Sequence, residues 1–532
     1  MHYLVRQKKL LSNKKKVCIV GSGHGGAIAA VDLASSGLFH VIVVDIDDIS
    51  LPISKEISHS LSVINHGSSF NQAVTRGFGF GGSSNFWHGV ITKLDDSDWA
   101  LLDEAAGYSV SSEINNLLPE VCKFFGINAE TLSIKKTIKP SDFYSELSIN
   151  KKFIGKDFWV QTKPLRTREM LINAKNQEYD IEFITNAVAI SLQCSKCQEN
   201  YKAERLVVNI AGIHKTIEAD YFILSAGALE TPRIILQSIQ NNDLPISNKN
   251  IGSYLTDHPW TVIGEFVAVK GKLDLNLTDI AYSAGLRYRI GYRQAAVSST
   301  ASLGENHCIS IKPLFYGEYD DFKESMKEMI SSKLSIRSIY KIFRKFKIKN
   351  TLASLSLLVS EKFGLGVKVK RALVFSYLEQ PSRFESKVSL SEKLDSFGRI
   401  IPIINWKLGQ EESCVIDIIQ KKLKSIFEVS TEYKFLSYDN AEKNLASGAH
   451  HAGTMRIGRS LDSGVVDANL KIFNTENIFV CDASVFTNFG NANPSFTLGS
   501  FSLRLSRHLQ GQIQKDLSIS DEFFTPSLAE VS

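Results

Sequence analysis

The most constraining feature of the sequence is a strand–turn–helix–strand pattern between Val17 and Asp45. Its first strand, Val17–Val20, is a short apolar run of the kind found in buried parallel strands. The turn that follows, Gly21–Gly26, has the pattern G-x-G-x-x-G and leads into a helix of small apolar residues. A second apolar run, Val41–Val44, completes the unit. The pattern predicts an α/β, Rossmann-like domain within a chain whose fold as a whole is α+β.

The same pattern predicts a dinucleotide site. Gly21, Gly23 and Gly26 allow a sharp turn and a close approach of the backbone to a ligand, and the helix N-terminus faces a pyrophosphate. Asp45 ends the second strand, 19 residues after Gly26, where a carboxylate accepts hydrogen bonds from ribose hydroxyls. The alternative is a purely structural glycine turn, but the complete context favours a dinucleotide.

Length and composition limit the class of protein. A chain of 532 residues is too long for one core, so two or more domains are expected. A net charge of +5 is mild for this length and gives no reason to expect a nucleic-acid partner. No apolar run is long enough for a membrane span, and the basic stretch 1–16 lacks the apolar centre of a signal peptide. We therefore expect a cytoplasmic protein.

The seven cysteines form no disulfide framework, which suits a reducing compartment. Cys194 and Cys197 form a single C-x-x-C without a second pair or nearby histidines. Because structural zinc requires four ligands, we expect no metal and interpret the two thiols as incidental members of a loop.

A second glycine-rich stretch runs from Arg76 to Asn85. Its glycine content is too high for a helix or a central strand, so it is predicted to be a loop that lies against the cofactor. An ordinary flexible loop is the alternative. Phe86, Trp87 and His88 follow directly and place aromatic and titratable side chains where the loop ends.

The hydrophobic period changes towards two after Thr261, which predicts a mostly antiparallel sheet in a domain inserted into the first one. Further strands are predicted at 185–192, 206–210, 221–227 and 477–481, and helices at 228–238, 412–429 and after 494 as far as 509. The expected organisation is a discontinuous cofactor-binding domain (14–100, 180–260 and 440–515), a mainly helical linking segment (101–179) and a substrate-binding domain (261–439).

One segment of the inserted domain, 333–349, is basic and amphipathic. It holds seven Lys or Arg residues and no acid, with apolar residues at helical spacing, and an apolar bias continues to 363. Such a helix is typical of association with a membrane surface or an acidic partner. The alternative is a helix that packs its apolar side on its own domain.

The ordered motifs of the chain resemble those of the glucose–methanol–choline (GMC) oxidoreductases. The resemblance covers residues 17–505, and the motifs that carry it are GSGHGG with Asp45, GFGGSSN at 79–85, SAGALETPRIILQS at 225–238, IGSYLTDHP at 251–259, EQPSRFESKVSLS at 379–391, and finally HHAGT, GVVDANL, FVCDASVF and NANP.

This resemblance implies FAD as the cofactor and the oxidation of an alcohol by hydride transfer to flavin N5. His450, three residues before Gly453 in H-x-x-G-T, corresponds to the family's proton-accepting histidine, and Asn493 to its second catalytic residue. An alcohol is a weak acid, so a base with a near-neutral pKa suits the step. An amide at Asn493 can orient the oxygen. His451 matches no catalytic position.

The resemblance also implies the remaining cofactor contacts. Residues of the glycine loop are expected against the pyrophosphate and the isoalloxazine, an acid near the ribityl and phosphate region, and a backbone contact to the adenine. The residues in question are Gly82, Ser83, Ser84, Asn85, Val188, Ala226, Asp482, Ala483, Asn493 and Pro494.

Two positions depart from the family pattern. Phe86 stands where some members attach FAD through a histidine, so non-covalent FAD is expected. Trp87 is similar to the pyranose oxidase branch, which modestly favours a sugar or polyol substrate. Trp87, His88 and His451 are candidates for the wall of the active site.

The expected function is therefore FAD-dependent oxidation of an alcohol group on a small hydroxylated substrate, such as a sugar, a polyol or another alcohol. The electron acceptor is left open among oxygen, a quinone and a protein. The alternatives are a non-redox flavoprotein lyase of the same fold and a catalytically silent flavin-binding protein that associates with a membrane or partner.

Overall fold

The computed structural model describes residues 14–49, 64–65, 77, 79–133, 157–275, 278–283, 286–293, 296–297, 307–314, 354–356, 358–359, 367–490 and 492–523. The basic segment 333–349 lies outside the described residues, as do Arg76 and Phe78 of the glycine-rich loop. The structure therefore does not test whether the predicted basic amphipathic helix binds a membrane surface or partner, or packs on its own domain.

The described helices are α1 (His24–Ser35), α2 (Asp96–Ala106), α3 (Val110–Phe124), α4 (Thr167–Asn176), α5 (Gly227–Gln240), α6 (Gln410–Phe427) and α7 (Pro494–Phe523).

The described strands are β1 (Lys15–Val20), β2 (Phe39–Val44), β3 (Ile64–Asn65), β4 (Val90–Ile91), β5 (Asp157–Gln161), β6 (Ile181–Ile184), β7 (Ala187–Cys197), β8 (Asn200–Ile210), β9 (Ile213–Glu218), β10 (Tyr221–Leu224), β11 (Trp260–Ala268), β12 (Leu273–Leu275), β13 (Thr278–Ser283), β14 (Leu286–Arg293), β15 (Ala296–Val297), β16 (His307–Pro313), β17 (Val367–Val369), β18 (Arg371–Tyr377), β19 (Lys387–Leu394), β20 (Ile400–Asn405), β21 (Tyr433–Ser437) and β22 (Ile478–Val480).

A parallel sheet with the order β22-β10-β1-β2-β6 forms the centre of the fold. Its apolar strands are buried, as parallel strands covered on both faces must be. The register pairs Val20 with Val44 and with Leu224, and Leu224 with Val480. Because these four strands end level with one another, the residues that follow them emerge at one edge of the sheet. This arrangement confirms the predicted Rossmann-like unit.

Helix α1 lies between this sheet and the long C-terminal helix α7. The contact is close because α1 is rich in small residues and because Gly499 of α7 has no side chain. A Cβ atom added at Gly499 would lie 3.1 Å from the side chain of Ile28 on α1 and 2.6 Å from the ring of Phe125. α7 continues to Phe523, well past the predicted end at Leu509. The first part of the chain and its last described helix thus share one core.

A second sheet, with the order β15-β16-β18-β11-β21, is antiparallel. One face is covered by α6, whose Ile419 and Phe427 pack with Phe266 and Val374 of the sheet in a separate core. The mostly antiparallel sheet predicted after Thr261 is confirmed. The domain boundaries drawn from the sequence stay a prediction.

The segment 101–179, which is predicted to be mainly helical, is described in part. Its described residues include α3 and α4 and also the strand β5, which pairs with β4 and with β14. Cys194 and Cys197 also lie in strand β7 rather than in a loop, because the polar hairpin between β7 and β8 is shorter than the sequence indicated. Among the described helices, none has the length and hydropathy that are needed to cross a membrane.

Candidate active site

Two sequence motifs far apart in the chain meet at an isolated antiparallel bridge between Thr256 and Ala452. The backbone N–H of each residue donates to the carbonyl oxygen of the other, at 3.1 and 2.9 Å. The bridge lies two residues after His450 and two before His258. The loop that carries His258 is therefore held beside the loop that carries His450.

The rings of His258 and His450 are in direct contact. Their Nδ1 atoms are 3.0 Å apart, and the rings are nearly perpendicular, at 89°. His258 is buried, and its Nε2 lies 2.6 Å from the carbonyl oxygen of Gly490. His450 is half-buried. The predicted base is thus connected through a second histidine to the loop that precedes α7.

Asp257 lies beneath this histidine pair and is buried. Its Oδ1 accepts hydrogen bonds from the backbone N–H of His258, at 2.7 Å, and of His450, at 2.9 Å. The Ser447 hydroxyl donates to Oδ2. Burial alone would raise the pKa of Asp257, but His451, the Ser447 hydroxyl and His450 together hold that pKa below its ordinary value. The site therefore contains a buried carboxylate that stays ionised.

His451 belongs to the same cluster, although it matched no catalytic position. Its Nε2 lies 3.6 Å from Oδ2 of Asp257 and 3.5 Å from the Ser447 hydroxyl. It therefore lies next to Oδ2, whereas the backbone N–H donors of His258 and His450 contact Oδ1. Its role as a wall residue of the site stays a prediction.

Asn493 is half-buried and directly precedes Pro494, the first residue of α7. The loop before it is held at Gly490 by His258 and at Asn488, whose amide donates to Asp98 at 3.2 Å. The structure thus ties the segment that leads to Asn493 to the histidine pair, through Gly490.

The edge of the parallel sheet forms a cradle around the G-x-G-x-x-G turn. Gly21 has φ +102°, and a Cβ there would overlap the carbonyl oxygen of Ser225. Gly23 differs, since a Cβ there would meet nothing within 4 Å. Gly23 is the N-cap of α1, and no side chain caps this helix end. An uncapped helix N-terminus beside open space fits a pyrophosphate, so the residues present fit a dinucleotide such as FAD.

Asp45 follows β2 at this edge and is buried. Its Oδ2 accepts hydrogen bonds from the backbone N–H of Ser22, at 3.0 Å, and from the Ser22 hydroxyl. Burial raises the pKa of Asp45 to about 6, and these hydrogen bonds lower it only in part. The carbonyl of Asp45 accepts from Ala187, the first residue of β7, which places Val188 next to this edge.

Asp482 lies at the same edge, two residues after β22, and joins two other elements. Its Oδ2 accepts from the N–H of Gly227, at 2.9 Å, and from the hydroxyl of Thr231, at 2.5 Å. Its Oδ1 accepts from the N–H of Ser484, at 2.9 Å. Burial raises its pKa. Ala226 and Ala483, the neighbours of these contacts, therefore lie together beside the cradle.

The glycine-rich loop packs onto the dinucleotide turn. The N–H of Gly81 donates to the hydroxyl of Ser22 at 2.6 Å, and a Cβ at Gly82 would lie 3.7 Å from the Cα of Gly23. Residues Gly82–Asn85 form a 3₁₀ turn, where the sequence predicted an irregular loop. Ser84 and Asn85 are buried within it, whereas Ser83 is exposed.

Two residues, one at the start of α4 and one just before it, hold this loop in place, and sequence reasoning did not identify either of them. The hydroxyl of Thr167 donates to the carbonyl of Ser22 at 2.8 Å and contacts the Ser84 hydroxyl at 2.7 Å. Arg166 donates to the carbonyl oxygens of Ser84 and of Trp87, the latter at 2.9 Å. Neither residue stands in a recognisable motif.

Trp87 packs edge-on against His24, the first residue of α1, with 5.1 Å between ring centroids. His24 is buried, and burial together with the charge of Arg166 lowers its pKa to about 4. The other candidate of this stretch, His88, is exposed. Trp87 thus lies beside the cradle, and His88 at the surface.

Reasoning from the sequence also did not identify Asp257 and His258 as site residues, although both stand in the motif IGSYLTDHP. An acid followed by a histidine and a proline is the only signal that could have marked them. Within the described residues, no three His, Cys, Asp or Glu side chains are grouped so that they could hold a metal ion.

Residues 382–500 match the family model described as GMC oxidoreductase. The long-chain-alcohol oxidase FAO3 of Arabidopsis thaliana is 26% identical over 329 residues, which cover 59% of this chain and 39% of that protein. The long-chain-alcohol oxidase FAO1 of the same plant is 22% identical over 93% of this chain and 67% of its own length. The chain thus spans well under half of FAO3.

Among solved structures, pyridoxine 4-oxidase from Mesorbium loti shares the fold. The TM-score is 0.57 and the identity 15%, with 94% of this chain and 99% of that chain covered. The match of residues 382–500 and the two relatives make the chain similar to the GMC oxidoreductases, and the solved structure shows that it shares their fold.

Proposed function

We propose that the chain binds FAD and oxidises a hydroxyl group of a small-molecule alcohol, with His450 as the base that accepts the hydroxyl proton. The observation that carries this proposal is the contact of His450 with His258 above the buried carboxylate of Asp257. A base at this position has a fixed backbone and a negative charge beneath it, which suits the acceptance of a proton.

The cofactor would be held at the edge of the parallel sheet. The uncapped N-terminus of α1 would receive the pyrophosphate beside Gly23, and Asp45 the ribose hydroxyls. Gly82 and its neighbours in the 3₁₀ turn would cover the cofactor from the other side. When bound, FAD supplies the acceptor for the hydride of the alcohol carbon.

The proton chemistry falls to the chain's own residues. An alcohol is too weak an acid to lose its proton to water at neutral pH, so a positioned imidazole is required. The ionised Asp257 lowers the free energy of the imidazolium that His450 becomes. Asn493 would hold the alcohol oxygen in place through its side-chain amide.

Two observations, the names of the relatives and the identity of residue 87, bear on the substrate class. The relatives named above are long-chain-alcohol oxidases, which favours a long-chain aliphatic alcohol. The likeness of Trp87 to the pyranose oxidase branch instead favours a sugar or polyol. We place aliphatic alcohols first because the relatives match long segments of the chain, whereas the likeness rests on one residue.

The test is the anaerobic absorbance of the flavin of the purified protein in the presence of one candidate alcohol at a time. Aliphatic alcohols of increasing length, sugars, polyols and choline form the panel. We expect loss of the oxidised flavin spectrum with at least one aliphatic alcohol. Admission of air then identifies the acceptor, since fast recovery of colour means oxygen and slow recovery means a quinone or a protein. An intact flavin spectrum with every alcohol would contradict the proposal and favour the lyase or the silent protein.

A further inference from the structure

The hydrogen-bond partners of His258 determine which of its nitrogens carries a proton. Its Nε2 lies 2.6 Å from the carbonyl oxygen of Gly490. A carbonyl oxygen can only accept, so Nε2 must donate an N–H. A neutral imidazole has a single N–H, and therefore Nδ1 of His258 carries a lone pair.

This lone pair determines the protonation of the neighbouring ring. Nδ1 of His450 lies 3.0 Å from Nδ1 of His258, so it must supply the N–H of that contact. In neutral His450 the lone pair is then on Nε2. We propose that His258 is a positioning residue that fixes His450 as the Nδ1–H tautomer, so that Nε2 of His450 is the atom that accepts the alcohol proton. The role as base rests on the function proposed above.

The proton transfer is balanced within this arrangement. The O–H bond of the alcohol breaks, the proton bonds to Nε2 of His450, and the electron pair of the bond stays on the oxygen. His450 becomes an imidazolium that still donates its Nδ1–H to His258. Asp257, which accepts the backbone N–H of both histidines, is the buried negative charge beneath them.

The packing around His258 fixes the orientation of its ring. One face lies against Phe489, with 4.4 Å between ring centroids and 33° between the planes. A Cβ at Gly448 would lie 2.5 Å from the carbonyl oxygen of His258, so the His450 segment also passes close to the His258 backbone. The ring is therefore held between the two loops it connects, as a positioning residue requires.

Each of two substitutions removes one of the two ring hydrogen bonds of His258 and keeps the other. In His258→Asn, the side-chain oxygen can take the place of Nδ1 and accept from His450, but the contact with Gly490 is lost. In His258→Gln, the amide nitrogen can take the place of Nε2 and donate to Gly490, but the acceptor for His450 is lost. The pair thus distinguishes control of the tautomer from the tie to the loop.

The first measurement is the histidine tautomer, read from ¹⁵N shifts and two-bond couplings of the FAD-bound protein with ¹⁵N-histidine. The signals of His450 are identified by their loss in His450→Ala. We expect the Nδ1–H tautomer in the unsubstituted protein and in His258→Asn, and the Nε2–H tautomer or a mixture in His258→Gln. An Nε2–H tautomer in the unsubstituted protein, or an unchanged Nδ1–H tautomer in His258→Gln, would overturn the proposal.

The second measurement is the rate of flavin reduction at saturating alcohol. We expect a loss of about 10²-fold or more in His258→Gln and recovery to within about tenfold of the unsubstituted rate in His258→Asn, with flavin retained by both variants. A larger loss in His258→Asn than in His258→Gln would mean that the tie to Gly490, and not the tautomer, is what matters, and equal losses in the two variants would also overturn the proposal. If no alcohol reduces the flavin of the unsubstituted protein, the proposed function fails, while the tautomer measurement still decides the role of His258.

Discussion

The backbone N–H of His450 donates to Oδ1 of Asp257 at a distance of 2.9 Å. The same oxygen accepts the N–H of His258, so one buried carboxylate fixes the backbone on both sides of the histidine contact. The two histidines are 192 residues apart in the chain. A single side chain that is removed from water therefore helps to fix their relative position, together with the bridge between Thr256 and Ala452.

The first prediction concerns His450→Ala. This change removes the proton acceptor, and we expect the rate of flavin reduction by the best alcohol of the panel to fall by about 10²-fold or more. FAD should remain bound, because the cradle at the sheet edge is built by other residues, among them Ser22, Asp45 and Gly81. Anaerobic stopped-flow absorbance measures both quantities. An unchanged reduction rate would refute the assignment of the base.

The second prediction concerns Asp257→Asn. The amide oxygen can replace one carboxylate oxygen of Asp257. The amide NH₂ group, however, replaces the other oxygen and cannot accept the hydrogen bond that this oxygen receives in the unsubstituted protein. We expect the free energy of unfolding at neutral pH to fall by about 2 kcal/mol. Denaturant titration followed by circular dichroism measures it, and the exposed Asp439→Asn is the matched control.

The pH dependence of this effect has a definite sign. The folded-state pKa of Asp257 is below its ordinary value, so its contribution to stability is present above about pH 4 and is lost as the pH falls further. The difference between Asp257→Asn and the unsubstituted protein should shrink in that range. Equal unfolding midpoints at neutral pH would show that the carboxylate contributes nothing.

The third prediction concerns Asp45 and the binding of FAD. The pKa of this carboxyl group is raised to about 6, and ribose hydroxyls donate best to its ionised form. The affinity of the deflavinated protein for FAD should therefore decrease as the pH falls below about 6, by up to about tenfold per pH unit. Quenching of flavin fluorescence across about pH 5 to 8 measures it.

Two variants check this assignment. Asp45→Asn should bind FAD more weakly at neutral pH and without this pH dependence. Ser22→Ala removes a hydroxyl that lowers the pKa of Asp45, so the midpoint should move to higher pH. An affinity that does not change with pH in the unsubstituted protein would exclude Asp45 as a ribose ligand.

The fourth prediction compares two glycines of the dinucleotide turn. Gly23→Ala places a methyl group in open space, so the free energy of unfolding of the deflavinated protein should change by no more than about 1 kcal/mol. The affinity for FAD should fall by about tenfold or more, because the methyl group would occupy the place of the pyrophosphate. Gly25→Ala would overlap the carbonyl oxygen of Cys481 and should destabilise the fold by about 1–3 kcal/mol. Normal FAD binding by Gly23→Ala would place the pyrophosphate elsewhere.

The fifth prediction concerns the attachment of the flavin. A phenylalanine side chain offers no nucleophilic atom at position 86, so acid precipitation should release the flavin into the supernatant. Absorbance at the flavin maximum in both fractions measures it. Yellow colour retained in the washed pellet would reveal a covalent bond at another residue.

The parallel sheet could be predicted from the sequence because its strands are short continuous apolar runs beside a glycine motif of known physical meaning. The same reasoning failed for β9, Ile213–Glu218, which lies at the edge of a three-stranded sheet, since five of its six residues are exposed and four are polar. Such an edge strand shows no hydrophobic alternation, so only its partner β8 reveals it.

The candidate site, too, could be predicted from the sequence only in part. His450 and Asn493 could be named because they stand in motifs, but the contact of His450 with His258 depends on a bridge of one residue pair, Thr256 and Ala452. A bridge of this kind has no period and leaves no pattern in the sequence. The roles of Arg166 and Thr167 in holding the glycine loop are equally invisible, because they arise from tertiary packing alone.

The pairing of β22 with β10 has a consequence for synthesis of the chain. Val480 is 256 residues after its partner Leu224, because 480 − 224 = 256. A ribosome that adds about 5–20 residues per second needs on the order of 10–50 s to make that length. During this interval the apolar strand β10 presents an open edge with unpaired N–H and C=O groups, which attracts strands of other chains. During synthesis, β10 thus remains without its β22 partner until the C-terminal part of the chain has been made. A chaperone that shields β10 in this interval would raise the yield of folded protein.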